Sequence, residues 1–266
     1  MMNNVYVKYS DESILELVVG FNKISQLYSE LTEKILFFEA NIKNAAAREY
    51  LMHGVKRRIE IMNQCIENIF EDFPPETEKL LGIHKTTDIN IYLHAFLINT
   101  YGAIENLALF ITYEKNIFNS PVLSIKQRKK VGLFKKEFQN KLPSVLHDYF
   151  SNNPKLNNWY NVYAKNYRDA LAHRIPPFVP PMQFRKEEAE EFKKLDENIA
   201  NFDHIKSDHK ELREMVQKTW TIGSPAKYFF HSISEKSQFV ILHGQILNDF
   251  ITLNDMIHFV LDNINN

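Results

Sequence analysis

Residues 89–116 read INIYLHAFLINTYGAIENLALFITYEKN. Apolar side chains fall on every side of a helical wheel over this stretch, the pattern of a helix enclosed by other structure. A helix is predicted from about Asp88, whose side chain can cap orphan backbone N–H groups, to about Asn116. His94, Asn99, Glu105 and Asn106 interrupt its apolar surface. A polar group in such a place needs a hydrogen-bonding partner, so each is a satisfied core residue or part of a site.

A buried central helix must be covered, and the flanking sequence supplies amphipathic helices. Residues 11–71 contain no proline and start at a Ser10 or Asp11 cap. Ile14, Leu17, Phe21, Ile24, Tyr28, Leu31 and Ile35 recur at three- and four-residue steps, and Leu51, Val55, Ile59, Met62, Ile66 and Ile69 continue the pattern. This is either one long helix or a hairpin bent near Asn41–Asn44. Phe73-Pro74-Pro75 ends it, because proline lacks the N–H and biases its predecessor away from α. The chain divides into an N-terminal helical hairpin or long helix, residues 1–72, packed on a helical core of residues 88–266.

Within that core, Ser124 to about Asn140 reads as a helix, and a short helix follows Pro143. Residues 157–173 form another helix, which four prolines between 176 and 181 bring to an end. Residues 184–218 then hold eight Lys/Arg and ten Asp/Glu. That near-balance suits a solvated helical insertion, 184–222, laced by i,i+4 ion pairs. Gly223-Ser224-Pro225 closes it. Ser232 and Glu235 have capping-box spacing for a last helix that buries Phe239, Val240, Leu242, Ile246, Phe250 and Ile257.

Bulk composition agrees with an all-α globular protein. Of 266 residues only 7 are Gly, whereas turn-rich β sandwiches need more. The net charge of −1 argues against a protein that wraps nucleic acid through overall basicity, but permits a local basic groove. The single Cys65 cannot form an internal disulfide or a cysteine zinc cluster. No basic start followed by an apolar run opens the sequence, and no run reaches ~20 uninterrupted apolar residues. A cytoplasmic location without a membrane span is therefore expected.

The segment Tyr167-Arg168-Asp169-Ala170-Leu171-Ala172-His173-Arg174 combines an arginine, a polar neighbour and a histidine four residues further along. It resembles the HEPN superfamily of helical proteins, marked by an Arg, a following Asn, Asp or His, and a His after four to six intervening residues. Arg48 and His53 repeat the separation, but Glu49 follows that arginine and no helix-ending signal follows that histidine. The resemblance implies a HEPN-like helical bundle with extra N-terminal helices and a charged helical insertion. It further implies metal-independent RNA cleavage, in which the ribose 2′-oxygen attacks the adjacent phosphate. His173 would move protons, Arg168 would stabilise negative charge, and Asp169 would orient one of them. A homodimer, RNA as partner, a toxin or defence role and an antitoxin protein belong to the same implication. The alternative is a non-catalytic helical module that binds RNA or protein.

Two geometric points bear on this motif. Residues five apart on a straight helix diverge by about 140°, so Arg168 and His173 share a face only if the last turn swings or a second subunit intervenes. A helix C-terminus also favours imidazolium, which suits a proton-transferring histidine. Lys126, Arg128, Lys129, Lys130, Lys135 and Lys136 mark either an RNA-backbone track or a solvated face. Glu105 and His94 are candidate supporting residues. His204 and His209 lie five apart, the wrong interval for one helical face, and no metal or other cofactor is expected. Glycine-rich phosphate loops and serine-nucleophile elbows do not occur.

Overall fold

A computed structural model describes residues 5–202, 209–235 and 237–265. Helix α1, Asp11–Glu39, begins at Ser10, whose hydroxyl accepts the Ser13 N–H. It buries Ile24, Leu31 and Ile35. The chain then turns through Asn41–Asn44, where the Asn44 side chain accepts from Ala46 and Ala47 and caps the next helix. The N-terminal region is thus two antiparallel helical arms. The second arm runs without a break through α2, Ala45–Glu49, a π-helical segment, Tyr50–Lys56, and α3, Arg57–Asp72.

Helix α4, Ile83–Glu114, starts about one turn earlier than Asp88 and ends where Asn116 takes a left-handed conformation. Its most apolar stretch is long enough to cross a membrane, but 72% of that stretch is buried inside the fold. Helix α3 packs along it, and α12, Leu242–Asn263, packs on α1, α3 and α4. One buried apolar cluster runs from Ile24 to Ile264 through all four. Gly54 lets the π segment approach α4 closely. A methyl group there would lie 2.9 Å from Asn106.

The basic stretch is not one helix. Only Ile125–Arg128, α5, and Lys136–Gln139, α6, are helical, each a single turn. Between them Gly132 adopts φ of +156°, and the Lys135 N–H returns to the Gly132 carbonyl. Glycine has no Cβ to oppose this backbone, so the chain curls instead of continuing. Ser144–Ser151, α7, and Pro154–Trp159, α8, lead into a second π-helical segment, Tyr160–Ala164, and then α9, Lys165–His173.

Beyond α9 the chain is extended to α10, Lys186–Ala200, which packs on α11, His209–Thr219. Leu195 alone is buried among the described residues of these two helices, and Lys193–Glu197 and Lys210–Glu214 form i,i+4 ion pairs. His204 lies outside the described residues. Ser232 does accept the Glu235 N–H, but it closes a turn and not a helix. Strands β1, Tyr228–Phe229, and β2, Val240–Ile241, pair antiparallel around that turn, and α12 starts only at Leu242. Phe239, predicted to be buried in the last helix, is 45% exposed and packs edge-on against Tyr228. Consecutive aromatic and β-branched residues at 228–230 and 239–241 favour a pleated strand over a helix.

Candidate functional site

Helix α9 is straight to its end. His173 is its last residue, and Arg174 leaves in an extended conformation while its N–H still closes the final turn on Ala170. Pro176 and Pro177 follow at once, so the helix stops where the motif stops. The last turn does not swing, and Arg168 and His173 remain about 140° apart around the helix. Among the described residues no hydrogen bond or ion pair joins them. His173 is exposed.

Arg168 is held on several sides. Its Nη1 donates to Asp169 at 2.9 Å, its Nη2 lies 3.8 Å from the Glu105 carboxylate, and its guanidinium sits over the Tyr101 ring at 4.2 Å. Asp169 and Glu105, two of the candidate residues, thus lie against the arginine. His94 does not. Eleven residues separate it from Glu105, or about 16 Å of helix at 1.5 Å per residue. Its imidazole instead bonds the Pro177 carbonyl at 2.6 Å, anchoring the segment that leaves α9.

Behind Arg168 stands a column of aromatic rings. Tyr101 stacks on Tyr160, and Tyr160 stacks on Phe134 at 3.9 Å. Burial raises the pKa of both tyrosines, and Glu105 lies one helical turn beyond Tyr101 on α4. The aromatic column therefore runs from Phe134 through Tyr160 and Tyr101 to the motif arginine.

Beside this column lies a cleft of about 430 Å³, lined by Tyr50, Tyr101, Glu105, Asn106, Arg128, Lys135 and Tyr160 among others. Tyr50 and Tyr160 are the first residues of the two π-helical segments. Such segments carry one extra residue per turn, which re-aims side chains, and they recur at functional sites. The curled loop brings two of the six basic candidates to the cleft. Arg128 donates to the Tyr50 hydroxyl, and Lys135 Nζ donates to the Lys129 and Val131 carbonyls at 2.8 and 2.9 Å. Lys126, Lys129, Lys130 and Lys136 are exposed outside it, with Lys130 3.7 Å from Glu137. They form no continuous helical track, because Gly132 breaks the helix that would align them.

Sequence reasoning missed the three tyrosines, whereas Asn106 was among the polar residues that interrupt the apolar surface of α4. Tyr101 and Glu105 do stand four apart on α4, a signal of proximity, but nothing in the local sequence marks a π-helical segment. No group of three or more His, Cys, Asp or Glu side chains among the described residues is arranged to hold a metal. No protein-family model, curated protein or solved structure matches the chain.

Proposed function

We propose that this protein is a HEPN-like, metal-independent endoribonuclease that works as a homodimer. The observation that carries the reading is Arg168 held half-exposed by Asp169 and Glu105 at the edge of a cationic, tyrosine-lined cleft, with His173 exposed at the end of the same helix. Within one chain the two side chains diverge, so a productive site pairs the arginine of one protomer with the histidine of its partner. The reaction then needs only these groups. The imidazole withdraws the 2′-hydroxyl proton, that oxygen attacks the adjacent phosphorus, and the 5′-oxygen leaves with a proton. Guanidinium offsets the charge that builds on the phosphoryl oxygens. A toxin or defence role with an antitoxin partner fits this activity.

The test is cleavage of single-stranded RNA by purified protein in the presence of EDTA. Arg168→Ala and His173→Ala should abolish it without changing the fold, and mixing the two variants should restore part of it through mixed dimers. Equal behaviour of wild type and both variants on a broad RNA panel would remove the enzymatic reading. A second reading, RNA binding without cleavage, is favoured by one observation: Asp169 takes a guanidinium N–H of Arg168 at 2.9 Å and Glu105 lies 3.8 Å away, so carboxylates offset part of the charge that would stabilise the transition state.

A further inference from the structure

We propose that the Tyr50–Tyr101–Tyr160 cleft is a binding site for a single nucleotide, with its phosphate on Arg128 and Lys135 and its base against the tyrosine wall. The inference rests on the RNA reading above and names a part of the substrate that the Arg168–His173 pair does not account for.

The cationic rim comes first. Lys135 has three N–H donors, and two are taken by the Lys129 and Val131 carbonyls. That clasp fixes the ammonium at the cleft and leaves one donor. Arg128 has five donors, of which the Tyr50 hydroxyl accepts one. Two positioned cations, each with donors to spare, suit a phosphate group. The four lysines outside the cleft lack this fixation.

The wall is aromatic. Tyr50 is braced on one face by Tyr113, with the rings within 9° of parallel. Tyr101 and Tyr160 are braced by each other and by Phe134. Tyr50, braced on one face only by these contacts, offers a ring face to a planar ligand, and the stacked Tyr101 and Tyr160 offer ring edges. Ile104, Leu109, Val131 and Leu133 complete an apolar floor. At its polar end, the Glu105 carboxylate can accept from ring or exocyclic N–H groups, and the Asn106 amide can donate or accept. A purely anionic ligand would be repelled by Glu105 and would leave the aromatic wall unused. A purely aromatic one would leave Arg128 and Lys135 unanswered. The cleft volume lies within the ~300–1,000 Å³ range of small-ligand sites. Because Glu105 also pairs with Arg168, the bound nucleotide would sit next to the one being cut.

The probes are AMP, GMP, CMP and UMP, followed by calorimetry and by chemical-shift changes in the intact protein, with inorganic phosphate as competitor. At least one mononucleotide should bind with a dissociation constant below ~1 mM. Arg128→Gln, on a one-turn exposed helix, should weaken it about tenfold, the scale of one charge-assisted hydrogen bond. His173→Ala should bind as wild type does, so loss of cleavage and loss of the nucleotide site are read separately. If no mononucleotide binds, if Arg128→Gln binds unchanged, or if phosphate alone binds as tightly as the nucleotides, the proposal is overturned. Binding by a protein that cuts no RNA would support the nucleotide site and remove only the nuclease reading.

Discussion

Two polar clusters are built into this helical core, and they differ in how fully their donors are answered. The His243 imidazole is fully buried and both its nitrogens are answered. Its Nε2 donates to the Phe73 carbonyl at 2.6 Å, so its Nδ1 accepts from the Tyr9 hydroxyl at 3.1 Å. Lys227 donates to the Pro75 carbonyl and lies over the Tyr9 ring. This cluster pins the turn after α3 to the start of α12. Around Arg168 the carboxylates of Glu105 and Asp169 reach the surface, beside a cleft with unspent donors. The residue types are nearly the same: tyrosine, a cation, a titratable partner. A sealed cluster is architecture, whereas an open one is available to a ligand.

The sharpest way to break this contrast is to truncate one side and read the other. Arg168→Ala or His173→Ala should lower RNA cleavage by ~10²–10⁴-fold, the scale of one general acid–base or charge-stabilising group. Thermal stability should move by no more than ~1 kcal/mol, because both side chains keep solvent access. A large loss of melting temperature with either variant would place Arg168 among the architectural groups.

The sealed side makes its own prediction, in pH. Burial pulls the His243 pKa down to about 4, and burial pushes the Asp249 pKa up to about 7 despite hydrogen bonds from Trp159 and Gln245. For His243, the unfolded state binds the extra proton, so its contribution is present above the ordinary histidine pKa and is lost as pH falls towards 4. For Asp249, the folded state binds the extra proton. Its contribution is present at acid pH and is lost as pH rises through about 7. Between about pH 4 and 6.5 the two slopes oppose each other, each at most ~1.4 kcal/mol per pH unit. Asp249→Asn should therefore tilt stability upward with rising pH across that window, and His243→Phe should tilt it downward. Melting curves from about pH 4 to 8 check this, and parallel profiles for wild type and both variants would refute it.

The helical frame behind this contrast could be read from the sequence, and the missing part has a physical cause. The all-round apolarity of 89–116, the cap at Ser10 and the proline stop after His173 are local signals, and each marks its element to within about a turn. Asp169 was legible by adjacency to Arg168, and Glu105 only as a polar interruption of an apolar helix, since its meeting with Arg168 joins two separate elements. The cleft was not. It depends on Gly132 turning a lysine-rich stretch back on itself, and on two π-helical segments whose extra residue leaves the hydrophobic period almost unchanged. The sealed cluster joins Tyr9, Phe73, Lys227 and His243, residues far apart in sequence, and no periodicity reports such a meeting.

Smaller changes refine the comparison. Gly54→Ala forces a methyl group to within 2.9 Å of Asn106, between the π segment and α4. It should destabilise the fold by about 1–3 kcal/mol through overpacking and weaken mononucleotide binding by displacing Asn106 from the cleft. Calorimetry on one sample measures both, and unchanged binding would detach Asn106 from the site. The smallest effect belongs to the α10–α11 pair, whose charges are neither sealed nor aimed into a cleft. Lys218 meets Glu191 at 2.9 Å, but both side chains are more than half exposed. Water already solvates each ion there, and ordering two long side chains offsets much of their attraction. Lys218→Gln should thus shift stability by ~0–0.5 kcal/mol, an effect that disappears in high salt. A larger loss in denaturant melts would mean that this pair is an architectural tie and that exposure alone does not separate the two kinds of polar cluster.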